Sequence, residues 1–101
     1  MKALGVVETR GYAAALAAAD AMKKAASVEI YVGTHAPFHT DGTVAVFIRA
    51  ADVGSVKAGA EAGAEAAKPL GQVVSIHVIA AVNDAAVKAL GIDMAKGGDW
   101  A

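Results

Sequence analysis

Hydrophobic and polar positions follow two regimes along this chain: short β-branched runs and long alanine-rich stretches. Ala3–Glu8 is short and β-branched, as a strand is, and Thr9-Arg10-Gly11 breaks it. Tyr12 to Ala26 is almost all alanine, with Leu16, Met22, Lys23 and Lys24 among them. These are strong helix formers over a helical length. Tyr12, Leu16 and Ala19 recur at i, i+4 and i+7 and share one helix face. Val28–Val32 reads as a second strand, ended by Gly33, and the polar loop Thr34–Thr43 follows. Val44–Ile48 is apolar without alternation, the pattern of a strand buried on both faces. Asp52 is placed as the N-cap of a second helix, since its carboxylate can accept the free amide hydrogens of the first turn. That helix runs through Val56, Ala60, Gly63 and Ala67 until Pro69 and Gly71 stop it. Gly59 and Gly63 each weaken it by about 1 kcal/mol relative to alanine, so glycines four apart imply close backbone approach to the sheet or to another subunit. Val73–Ile79 is a fourth strand. Asn83 or Asp84 caps a short last helix that ends at Leu90-Gly91, before a polar, glycine-containing tail.

The order is βαββαβ followed by a small helix, which matches the ferredoxin-like split βαβ plan. The expected fold class is therefore α+β: a four-stranded antiparallel sheet with two helices on one face. The other face needs a cover, from the last helix or from a partner. Residues 1–91 form one domain and residues 92–101 a C-terminal tail, in which Trp100 is either free or docked on a neighbour.

Composition sharpens this picture. Over 101 residues, 56% are apolar and only 19% charged. Alanine supplies much of the excess and lets elements approach closely. A surface so poor in charge implies that part of it is covered by neighbouring chains. The net charge of −1 leaves no basic footprint for nucleic acid. There is no cysteine, which excludes disulfides and thiolate metal sites and fits the cytoplasm. The N-terminus has no apolar signal core, and no uncharged apolar stretch approaches the ~18 residues of a membrane span.

Four stretches together resemble the bacterial microcompartment shell proteins of the single-domain, hexamer-forming class. They are Ala3–Gly11, Ala18–Ala26, Arg49–Gly59 and Val74–Ile79, in order and in register over residues 3 to 91. The resemblance implies a six-fold disc that tiles edge to edge with itself and with other shell proteins, in the shell of a cytoplasmic microcompartment. It implies a central pore for small metabolites, lined by the loop between the second and third strands, with no cofactor and no catalysis. That loop is Thr34, His35, Ala36, Pro37, Phe38, His39, Thr40, Asp41, Gly42 and Thr43, several residues longer than the family's short glycine- and serine-containing turn. Lys24 matches the family's edge lysine. Ala80-Ala81-Val82 stands where many relatives carry Pro-Arg, so Ala81 replaces the arginine that helps to join hexamers.

His35, His39 and Asp41 are zinc-ligand types, but with no second shell in view they read as a polar loop, not a metal site. Around a six-fold axis each would become a ring: six Asp41 carboxylates would set a negative field, and histidines would add positive charge near pH 6. The alternative is a loop splayed into solvent. Phe38 is a pore constriction or, preferred, an anchor packing the loop down. His77 reads as a structural histidine with a hydrogen-bonded ring. Glu61 and Glu65 read as a solvated or subunit-facing stripe, with Lys57 and Lys68 in helical reach. No nucleophile or nucleotide motif is present. The competing reading is a ferredoxin-like small-molecule sensor forming a dimer or trimer, which predicts ligand-dependent stability.

Overall fold

The chain folds, in a computed structural model that describes residues 2–33 and 42–89, in the order β1 (Ala3–Arg10), α1 (Tyr12–Ala25), β2 (Glu29–Gly33), β3 (Thr43–Ala50), α2 (Val53–Ala67), β4 (Gln72–Ile79) and α3 (Asp84–Ala89). The sheet runs β2-β3-β1-β4, and each adjacent pair is antiparallel. This is the expected α+β plan.

β1, β3 and β4 are longer than the residue pattern implied, and β2 is shifted by one residue so that it includes Gly33 and leaves out Val28. Thr9 and Arg10 do not break β1. They pair with Val44 and Thr43 on β3 and with Val73 and Gln72 on β4. β1 is central, so both neighbours satisfy its backbone groups, and pairing offsets the polar side chains. The break falls at Gly11, whose φ of 99° is one that residues with a Cβ rarely adopt. Thr43 likewise opens β3 instead of closing the loop before it. On β4, Val74 is the extra residue of a register shift opposite Glu8 and Thr9.

One face of the sheet carries α1 and α2. Val7, Val32, Val46 and Ile48 are fully buried there against Ala14, Ala15, Ala18 and Met22 of α1 and Val56, Ala60 and Ala67 of α2. Tyr12 and Leu16 do not share the buried face with Ala19; they are 50% and 56% exposed. The reason is the closeness of the layer. A Cβ on Gly59 would collide with Cδ1 of Ile48, and one on Gly63 would lie 2.8 Å from Met22 Cε and 3.1 Å from the Ala18 carbonyl oxygen. The two glycines thus admit the sheet and α1 respectively. The inward face of α1 has room for alanines and one methionine, and its larger side chains turn out.

Asp52 caps α2 as expected: its carboxylate accepts from Ser55 N at 2.8 Å and from Ser55 Oγ at 2.9 Å. These two bonds hold its pKa below the ordinary 3.8, the backbone bond contributing most. The opposite, open face is covered in part by α3. Val82 and Val87 bury Leu4, Ala45 and Phe47, with Tyr31 and Val6 packed alongside. Two polar contacts hold the helix there and a third caps it. Val82 N donates to the Lys2 carbonyl at 2.9 Å, Arg49 pairs with Asp84 at 2.8 Å, and Asn83 Oδ1 accepts from Ala85 N at 2.8 Å. Asn83 is therefore the cap, and Asp84 binds the sheet. His77 sits opposite Val6 on the open face of an edge strand and is exposed, because α3 stops short of β4.

Candidate pore and edge surfaces

Antiparallel pairing gives the subunit two distinct ends. β1 runs from Ala3 to Arg10, and β3 begins at Thr43 directly opposite Arg10. β2 ends at Gly33, opposite Ala45. The loop between β2 and β3 therefore emerges beside Arg10 and Gly11. Gly11 N donates to the Gly42 carbonyl at 3.0 Å and ties the loop's last turn to the start of α1. Gly42 has a φ of 85° and is exposed, while Thr43 is buried at the mouth of the β3–β1 pair. Thr34 to Asp41, with His35, Phe38, His39 and Asp41, lie outside the described residues, as does Trp100.

The far end holds the predicted edge residues. α1 runs back along the sheet, so Lys24 in its last turn returns to the end where β1 begins. β4 is antiparallel to β1, so Ile79 pairs with Leu4 and Ala81 follows at that same end, exposed. Eight strand residues, about 27 Å, separate this end from the loop. Lys24 is largely solvent-exposed and pairs with Asp20 at 2.8 Å, one helical turn back; that carboxylate raises its pKa. Lys23 points elsewhere, donating to the Val28 carbonyl at 2.7 Å and bracing the turn into β2.

Several polar side chains of the described residues are held in structural contacts. Ser75 Oγ donates to Glu8 at 2.6 Å across the β4–β1 pair. That hydroxyl is committed to a carboxylate and not to the imidazole of His77, two residues along the strand. Glu65 pairs with Lys68 at 2.7 Å on the exposed side of α2, as its helical spacing implied. Among the described residues no cluster of histidine, aspartate and glutamate could hold a metal ion, and no helix is long and apolar enough to cross a membrane.

Sequence reasoning did not single out two features. One is Arg10, exposed beside the loop, which only its pairing with Thr43 places there. The other is a shallow groove of about 500 Å³ lined by Ala13, Leu16, Ala17, Asp20 and Leu70. Leu16 lines it because it faces outward.

Comparison with known proteins gives this fold a family. The family model described as the BMC domain matches residues 3–82. The bacterial microcompartment shell protein PduA of Citrobacter freundii is 50% identical over 82 residues, which cover 77% of this chain and 80% of that protein. The shell protein EutM of Escherichia coli K12 is 44% identical over 79 residues, 78% of this chain and 77% of that one. The major carboxysome shell protein CsoS1A of Halothiobacillus neapolitanus is 45% identical over 82 residues, 80% of each. A crystal structure of a microcompartment protein from Desulfitobacterium hafniense DCB superposes with a TM-score of 0.72 at 28% identity. It matches 87% of this chain, which spans about half of that longer one, 48%. On the family match and these identities, the chain belongs to the BMC domain family.

Proposed function

We propose that this protein is a structural, non-enzymatic subunit of a bacterial microcompartment shell. It forms cyclic hexamers that tile with copies of themselves and with other shell proteins into a layer within the cytoplasm. Small metabolites cross that layer at the six-fold axis, between the Thr34–Thr43 loops. The observation that carries this reading is the polarity of the subunit. The loop leaves one end of the sheet, and Lys24 and Ala81 occupy the other, a strand's length away. A ring with the loops at its centre would carry Lys24 at its rim. Exposed Val74, Ile76 and Ile79 along the β4 edge supply apolar surface for a neighbour, on a strand whose free backbone groups call for cover.

Native mass spectrometry at micromolar concentration tests the ring. A hexamer is expected. A monodisperse monomer, dimer or trimer overturns the reading, and a dimer or trimer whose melting point rises with a small metabolite would establish the sensor instead.

A further inference from the structure

We infer that α3 is a releasable strap, and that Arg49 releases it by exchanging Asp84 for Glu29, which uncovers an apolar patch on the open face of the sheet. The device belongs to the single subunit and stands apart from the pore reading. Arg49 lies on β3 between two pairing partners, Leu4 of β1 on one side and Glu29 of β2 on the other. Leu4 belongs to the cluster beneath α3, so all three side chains leave the sheet on its open face. Side chains directly opposite one another in an antiparallel pair have Cβ atoms about 5 Å apart. Arg49 therefore has two carboxylates in reach, Asp84 on the strap and Glu29 on the sheet. In the closed arrangement its Nη2 donates to Asp84 at 2.8 Å, while Glu29 accepts from Lys2 Nζ at 3.4 Å.

The Arg49 side chain is only 20% exposed, so its charge needs a partner whether the strap is docked or not. Its Nε is buried and meets no acceptor, so the closed pairing leaves part of the guanidinium fork unused. The Lys2–Glu29 contact is long and both side chains are half exposed, so giving it up costs little. Lys2 couples the two events. Its ammonium occupies Glu29, while its carbonyl accepts from Val82 N at 2.9 Å at the base of the strap. α3 has six residues, too few to keep their turns once undocked. Among the described residues of this segment, only Val82 and Val87 are buried in the open-face cluster. Release exposes Leu4, Ala45 and Phe47 together, in a patch continuous with Ile79, which pairs with Leu4 and is already exposed.

The test is amide hydrogen exchange, resolved by residue, on the full chain at one fixed concentration. The amides of Val82 and Val87 report the strap, and those of Met22 and Ala60 report the helix layer. Local release exchanges the first pair while the second stays protected. Asp84→Asn removes the closed partner and should speed exchange at Val82 and Val87 about tenfold. Glu29→Gln removes the open partner and should slow it about threefold. The sign discriminates, because a Glu29 that merely braces Lys2 would loosen the strap when neutralised. In an Arg49→Met background, which has no charge to exchange, Glu29→Gln should no longer slow the strap. Exchange at Val82 and Val87 that Glu29→Gln leaves unchanged or speeds overturns the inference. So does an Asp84→Asn variant in which Met22 and Ala60 speed up as much as Val82 and Val87, since the opening would then be that of the whole fold.

Discussion

The two faces of the sheet are built on different principles. The face under α1 and α2 is closed by small residues: alanines and glycines bring the helices so near that Ile48 and Met22 fill what space remains. The open face uses a few large residues, Leu4, Phe47 and Tyr31, under the six-residue helix α3. Tyr31 and Phe47 rings stand 6.2 Å apart and tilted by 49°, a favourable aromatic arrangement, yet His77 and Ile79 of β4, at the other edge of the same sheet, stay exposed. The first face is complete within one chain. The second is held by a short strap, and its remaining apolar surface at Ile79 waits for a partner. The proposed tiling would use this division, with one rigid layer to set the subunit's shape and one incompletely covered side to meet other surfaces.

Truncation should break the faces unequally. Met22 is fully buried between the helices, where tightly apposed backbones cannot collapse into a void. Met22→Ala is expected to destabilise by about 3 kcal/mol. Val87 on α3 is also buried, but a six-residue helix can shift to close the gap. Val87→Ala should cost about 1 kcal/mol. Urea midpoints at one fixed protein concentration decide, since assembly adds to apparent stability. Equal losses would show that α3 is as integral as the helix layer.

The elements themselves were legible in the sequence because their periods differ: β-branched strands, alanine helices, and Asp52 and Asn83 as caps all stand where local chemistry requires. The buried face of α1 was not. Periodicity places Tyr12 and Leu16 on one stripe with Ala19 but does not say which stripe faces inward, and glycines on another helix decided that. The strand ends at Thr9, Arg10 and Thr43 were hidden for a related reason, since pairing with distant strands overrides polar side chains. Lys24 and Ala81 came from family resemblance alone. Their placement at one end of the sheet follows from chain direction, which no local pattern records.

The contrast also reaches the rim, where Lys24 belongs to the helix layer and Ala81 to the link between β4 and α3. Both are exposed, so substitution there should leave the subunit intact and change only tiling. Lys24→Ala is expected to raise the protein concentration needed for sheets or tubes several-fold, because its stem and ammonium are lost to the neighbour. Ala81→Arg should lower that concentration by restoring a cation at the edge. Electron microscopy across a concentration series reads both. If Lys24→Ala assembles as the parent does, Lys24 is not at the edge. If Ala81→Arg leaves the threshold unmoved, the link on the open-face side takes no part in it.

The smallest expected effect separates the helix caps of the two faces. α2 is capped by the Asp52 carboxylate, which can take up a proton; α3 is capped by the Asn83 amide, which cannot. The Ser55 bonds to Asp52 hold its folded pKa below 3.8, so the folded protein binds this proton less readily than the unfolded chain. By linkage, that stabilisation is fully present above the unfolded value and is lost as pH falls through the lower, folded one. The window therefore lies below about pH 4. Asp52→Asn keeps an acceptor for Ser55 N and removes the titration. Urea midpoints of the parent should fall more steeply than those of Asp52→Asn between pH 4 and pH 2, while above pH 5 the two curves should run parallel. Val87→Ala in the Asp52→Asn background should add the same loss at every pH in that range, because the strap and the α2 cap lie on opposite faces of the sheet. Parallel parent and Asp52→Asn curves throughout would mean that Ser55 does not hold the carboxylate in solution. A Val87 loss that changes with pH would mean that the two faces are coupled through the sheet.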